Sequence, residues 1–135
     1  MKFVILRKTG GFYSAYDDSA LIIGYVCNFK VKNGKTGFPL SSIEKVTSLL
    51  ESYKVNYIIK EKEVEVSKKD FKASNKYDSF LKKGRMKNNI NVRVDNILKE
   101  IDDLSYSKAD ELLTIIENFI YEQWIFDCKK YETLY

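Results

Sequence analysis

The chain changes its hydrophobic period part-way along, and that change limits the folds open to it. Up to about residue 67 the apolar residues come in short runs cut by glycine, asparagine and charge, beginning with "KFVILRK" and its stop at Thr9-Gly10-Gly11. From Val92 onward they recur at helical spacing over two long segments. Short strands bounded by turn residues, followed by long helical stripes, indicate an α+β fold in which strands and helices are segregated. The expected architecture is a small mixed β-sheet of about four strands flanked by helices, then a C-terminal antiparallel helical hairpin. Residues 1–67 read as the α/β core, 68–89 as a basic loop or short helix, and 90–135 as a hairpin packed on that core, one compact domain overall.

Local signals refine this outline. "GFYSAYDD" is either a second short strand or an extended lead into a helix, with Asp17 or Asp18 as N-cap. "SALIIGYVC" is too short to separate a two-turn helix from a buried strand. "NFKVK" alternates and ends at Asn33-Gly34, which predicts a strand and a turn. After the Gly37-x-Pro39 corner, Ser41 and Glu44 have capping-box spacing, and Ile43, Val46, Leu49 and Leu50 share one helical face. Pro39 reads as the entry to that helix. "VNYIIKE" then reads as a strand, and "KEVEV" as its continuation or a charged edge. Val94, Ile97, Leu98, Ile101 and Leu104 line one helix; Ser107 and Asp110 suggest the capping box of the next. Its apolar residues include Trp124, Ile125 and Phe126 and run nearly all round it, with Lys129 and Lys130 in the last turn.

Several functional classes lose support from composition. The chain has no histidine, which removes the commonest general base and zinc ligand. Neither a P-loop nor a dinucleotide glycine pattern occurs, and Cys27 and Cys128 lack partners at metal-ligand spacing, so they read as reduced, packed thiols. Asp17 and Asp18 read as a helix start, with no third acid nearby in sequence to complete a metal site. The apolar runs are too short or too interrupted to cross a bilayer, and "MKFVILRKTGG" does not read as a signal peptide, which makes a cytoplasmic protein the default. No enzyme activity, cofactor or metal is expected.

Charge is unevenly placed. Residues 1–67 hold 10 Lys/Arg against 7 Asp/Glu, residues 68–94 hold 9 against 2, and residues 95–135 hold 4 against 10. A segment this basic attracts phosphate. Lys68, Lys69, Lys72, Lys76, Lys82, Lys83, Arg85 and Lys87 are interleaved with Phe71, Tyr77 and Phe80, a pattern that suits nucleic acid and equally suits a solvated loop. With Arg85 the one arginine in that cluster, base-edge readout is not indicated.

Residues 3–62 resemble the N-terminal mismatch-binding domain of the DNA mismatch repair protein MutS. The resemblance is carried by Gly10-Gly11-Phe12-Tyr13-Ser14, by Tyr16-Asp17-Asp18 behind it, and by the Gly-x-Pro corner, helix and strand of "TGFPLSSIEKVTSLLESYKVNYIIKE". In that family the phenylalanine of a Phe-x-Glu motif wedges beside a mismatched base and the glutamate contacts the base. The resemblance therefore implies a wedge at Phe12 and a base contact at Ser14, where serine reaches less far than glutamate. Phe12, Tyr13 and Ser14 join the eight basic residues as candidate nucleic-acid contacts. A plain alternation across a half-buried strand would instead put one of the two aromatics in the core.

Together these observations lead to an expected function: a non-enzymatic DNA-binding module, engaging duplex or single-stranded DNA mainly through backbone phosphates. The alternative is a protein-interaction or regulatory module without a DNA role, with the C-terminal helices holding a homodimer or another protein.

Overall fold

Gly10, in the left-handed region at φ 61°, turns the chain between β1 (Val4–Thr9) and β2 (Phe12–Tyr16), and the two strands pair antiparallel. The computed structural model describes the backbone of residues 2–132 and the side chains of residues 2–125. Phe126, Cys128, Lys129 and Lys130 lie outside the described side chains. From β2 the chain enters α1 (Asp17–Val26), then β3 (Lys35–Pro39), a 3-10 turn (Leu40–Ser42), α2 (Ile43–Ser52), β4 (Tyr57–Glu61) and β5 (Val64–Lys69). A second 3-10 turn (Lys72–Ser74) leads into α3 (Tyr77–Asp102), and residues 103–105 join it to α4 (Tyr106–Glu132). The fold is α+β, as expected, with five strands in the order β3-β2-β1-β4-β5 and a C-terminal helical pair. The β1–β4 pair is parallel and the others antiparallel, so the sheet is mixed.

The chain forms two compact units, residues 1–92 and residues 93–135. The division falls within α3. In the first unit, alternation puts Val4, Leu6, Tyr13, Ala15, Phe38, Tyr57 and Ile59 on one sheet face, all buried. That face is covered by Ala20, Ile22 and Ile23 of α1, Val46 and Leu50 of α2, and Tyr77, Phe80 and Leu81 of α3. Burying such side chains is the main stabilising contribution to a core of this kind.

Several local readings are corrected. "NFKVK" is not a strand: Asn28, at φ 57°, reverses the chain after α1, and Phe29 and Val31 pack on the core from an irregular connection. The strand instead follows the Asn33-Gly34 turn, where Lys32 bridges to Lys35. Pro39 ends β3, an edge strand, where a missing N–H costs no ladder bond. Neither Asp17 nor Asp18 is an N-cap; Tyr16 holds that position, and the Asp17 N–H donates to the Gly34 carbonyl at 2.7 Å. Both aspartates stand in the first turn, favourably placed for the helix dipole. The Ser41–Glu44 box does not form, because the 3-10 turn supplies the entry and α2 begins at Ile43. Likewise α4 begins at Tyr106, and Ser105, not Ser107, accepts the Lys108 N–H at 3.4 Å.

Residues 68–89 are shared among β5, the second 3-10 turn and the first half of α3. Gly84 does not break α3, because it is the buried point at which α3 meets α1. A Cβ there would overlap the Leu21 carbonyl. Gly84→Ala should therefore destabilise by about 1–3 kcal/mol despite alanine's better helix propensity, lowering Tm by roughly 5–15 °C. Thermal melts followed by circular dichroism test this, with Gly11→Ala, which has open space around it, as the near-neutral control. A stabilised Gly84→Ala would refute the close approach.

Candidate nucleic-acid interface

Phe12 is the first residue of β2, directly after the Gly10-Gly11 corner, and its side chain is 57% exposed. It pairs with Thr9 on one side and Pro39 on the other. Its neighbour Tyr13 points the opposite way into the core, its ring stacked on Phe38 at 5.6 Å. Tyr13 is therefore a packing residue rather than a surface contact. Ser14 shares the Phe12 side of the strand but is buried, within 3.4 Å of the donating Thr9 hydroxyl. Two residues beyond Phe12, the strand thus presents no exposed polar group.

The eight basic candidates do not form one surface. Lys68 and Lys69 are on β5, Lys72 in the 3-10 turn, Lys76 just before α3, and Lys82, Lys83, Arg85 and Lys87 on α3. Successive positions on β5 face opposite ways: Lys68 pairs with Ile58 on the uncovered side, while Lys69 reaches Glu51 of α2 at 3.7 Å. Arg85 meets Asp18 at 3.4 Å, and Lys87 donates to the Gly24 carbonyl and to Asn28 Oδ1 at 3.0 and 2.6 Å. Lys83 stands over the Phe80 ring, 4.8 Å from its centroid. Much of the basic segment is thus engaged in holding α3 against α1 and the core.

A buried polar network fixes where that segment begins. The Asn56 side chain accepts the Phe71 N–H at 2.6 Å and donates to Asp70 at 3.1 Å, while its own N–H donates to Asn75 Oδ1. Asn75 in turn donates to the Lys2 carbonyl at 3.2 Å. These bonds pin residues 70–76 at the end of the sheet where β1 and β4 start. Phe12 stands at the other end, three strands from Lys68, and the register puts the two about 20 Å apart.

The uncovered sheet face brings Phe12, Tyr16 and Lys68 together with residues that sequence reasoning passed over, Phe3, Ile5, Arg7, Lys35, Ile58 and Lys60. Phe3, Ile5 and Arg7 from β1 and the residue before it, Phe12 and Tyr16 from β2, Lys35 from β3, and Ile58 and Lys60 from β4 all lie there by alternation. Lys35 Nζ lies 5.5 Å from the Tyr16 ring centroid, and Lys68 Nζ 4.9 Å from that of Phe3. Arg7 is paired with Glu63, and its guanidinium holds that carboxyl below its ordinary pKa. Lys30, Lys32 and Lys35 line an open groove along the β3 edge. The available signal was the period-2 run Phe3-x-Ile5-x-Arg7, which becomes informative only once the opposite face is known to be the covered one.

Among the described residues no three His, Cys, Asp or Glu side chains form a group able to hold a metal ion, and no helix is long and apolar enough to cross a membrane. In comparisons with known proteins, no family model and no curated protein matches the chain.

Cys27, at the C-terminal end of α1, is packed against the core. Burial pushes its thiol up to about 11, and the nearby Lys45 ammonium offsets this only in part. The protonated form therefore persists well above neutral pH, and thiolate accumulates only as pH approaches 11. In a Cys128→Ser background, alkylation of Cys27 by iodoacetamide at about pH 8 should run roughly 100-fold slower than that of a peptide cysteine. A comparable rate would show the thiol to be open to solvent and unperturbed.

Proposed function

We propose that this chain is a non-enzymatic nucleic-acid-binding module of the kind that residues 3–62 resemble, the mismatch-binding domain of MutS. The observation that carries this reading is Phe12, a large ring held out to solvent at a glycine corner. An aromatic so placed can enter a widened minor groove, offsetting the cost of unstacking with its own contact. The net charge of residues 1–92 supports the same reading, since they hold 18 Lys/Arg against 9 Asp/Glu. With Ser14 buried, binding rests on phosphate contacts and on the Phe12 ring, and discrimination among mismatches is weak. Fluorescence anisotropy with homoduplex, mismatched and single-stranded DNA tests this at about 50 and 200 mM salt. The expected salt slope is about −3 to −4, with mismatched and matched duplexes bound within a few-fold of each other. Phe12→Ala should weaken duplex binding about 5- to 10-fold without changing the salt slope. No binding at low salt would end the proposal.

A second reading draws on the other unit. No described side chain in 93–125 is fully buried, and Ile115, Phe119, Ile120 and Trp124 are each more than 60% exposed. On α4, Ile115 and Phe119 flank one side of the half-buried Leu112 and Ile116, while Leu113, Ile120 and Trp124 flank the other. An apolar arc about half the helix circumference is wider than one partner helix covers, which favours an interaction role for this unit. Sedimentation of the intact chain and of Trp124→Ala tests it: the expected result is an assembly that weakens in the variant while nucleic-acid affinity is unchanged. A wild-type monomer at all concentrations would count against self-association.

A further inference from the structure

We propose that the uncovered face of the sheet in residues 1–92 binds a single strand of nucleic acid, stacking unpaired bases on Tyr16 and Phe3 and meeting phosphates with Lys35, Lys60 and Lys68. This rests on the nucleic-acid reading above and extends it to a surface, separate from the Phe12 corner, and to a strand type.

One row across the sheet runs Lys35, Tyr16, then Ile5 and Ile58, then Lys68, so an ammonium stands at each edge and apolar side chains lie between. Phe3, one pleat further along β1, lies under Lys68. Tyr16 is 44% exposed. Each ring thus carries an ammonium over its face, and a base that takes that place would turn the displaced ammonium toward its own phosphate. A duplex can meet these lysines with its phosphates but cannot use the rings, because its bases are stacked on one another and offer only their edges in the grooves. An unpaired base offers a face, and sheets that display aromatic rings bind single strands through such stacking.

Charge complementarity selects the occupant. Arg7 and Lys60 occupy the next row, and Lys30 and Lys32 extend the positive side along the β3 groove. The acids that register and ion pairing put on this side are Glu65, opposite Lys60, and Glu63, which is already paired with Arg7, while Asp17 stands beside Gly34 at the Lys35 end. A flexible polyanion with planar groups meets both the cations and the rings.

The test uses the full chain and fluorescein-labelled single strands of mixed sequence, about 15 nucleotides long, as DNA and as RNA, with the matching DNA duplex alongside. Tyr16→Leu and Phe3→Leu keep apolar cover and remove the ring; Lys35→Gln and Lys68→Gln remove charge at exposed edges. Each ring variant is expected to weaken single-strand binding about 5- to 50-fold and to leave duplex binding unchanged. Each lysine variant should reduce the salt slope on single strands by about 0.7. Tighter binding of RNA than DNA, or the reverse, assigns the sugar and supports the proposal either way. Single-strand binding untouched by the ring and lysine variants would overturn the sheet-face site and leave the nucleic-acid reading standing. Duplex binding without single-strand binding would do the same. Binding to none of the three would overturn both. Unchanged circular dichroism of the variants keeps a folding defect from imitating the expected loss.

Discussion

Everything in residues 1–92 depends on a sheet that is covered on one side. Val4 and Leu6 of β1 are fully buried and lie between β2 and β4, so the face they choose is imposed on both neighbours by the pleat. Tyr13 and Ala15 must follow them inward, and Phe12, Ser14 and Tyr16 must face the other way. A slip of one residue would bury Arg7 and expose Leu6, so the register is held by the whole apolar core. The availability of Phe12 and Tyr16 is thus a consequence of packing elsewhere.

A second constraint decides what the basic segment can do. For α3 to approach α1 closely, Gly84 must carry no side chain, and Lys87 then falls within reach of the C-terminal end of α1 at Gly24 and Asn28. Arg85 meets Asp18 for the same reason. Exposed pairs of this kind contribute little stability each, yet they hold these cations to acceptors of the chain itself. The Asn56 network acts at the other end of the segment. By fixing residues 70–76 it ends β5 just after Lys69 and starts α3 on the covered face.

These constraints explain which features were legible in the chain alone. The fold class was readable because period-2 runs with glycine stops and long 3.6-residue stripes are dictated by local geometry. Val46 and Leu50 of α2 are where the stripe predicts. Caps were misplaced by one or two residues at α1, α2 and α4, because a 3-10 turn or a neighbouring carbonyl can satisfy the same orphan N–H groups as a side chain. "NFKVK" failed because its alternation was competing with packing: Phe29 meets Phe38 at 5.7 Å, and Val31 fills the space above Gly24. The role of Gly84 was not legible, because the cost of glycine in a helix is local, whereas the gain from a close crossing is tertiary. For the site, sequence proximity grouped eight basic residues that alternation and the turn at Lys72–Ser74 then separated. The rings and cations of the uncovered face, distant in sequence, were not recognisable as neighbours until the strands were paired.

The pairing of Phe12 with Ser14 has a chemical consequence of its own. A wedge and a base-contacting carboxylate two residues apart on one strand can act together, because the pleat points both the same way. Here the second position is a short side chain enclosed by its neighbours, with its hydroxyl turned toward Thr9. A ring at the corner can respond to how readily a base step opens, which is a property of stacking and flexibility. It cannot by itself distinguish the edges of one base from another, since that needs donors and acceptors aimed into the groove. A binding mode built on Phe12 would therefore sense deformability, and any recognition of base identity would need donors and acceptors supplied from elsewhere on the chain.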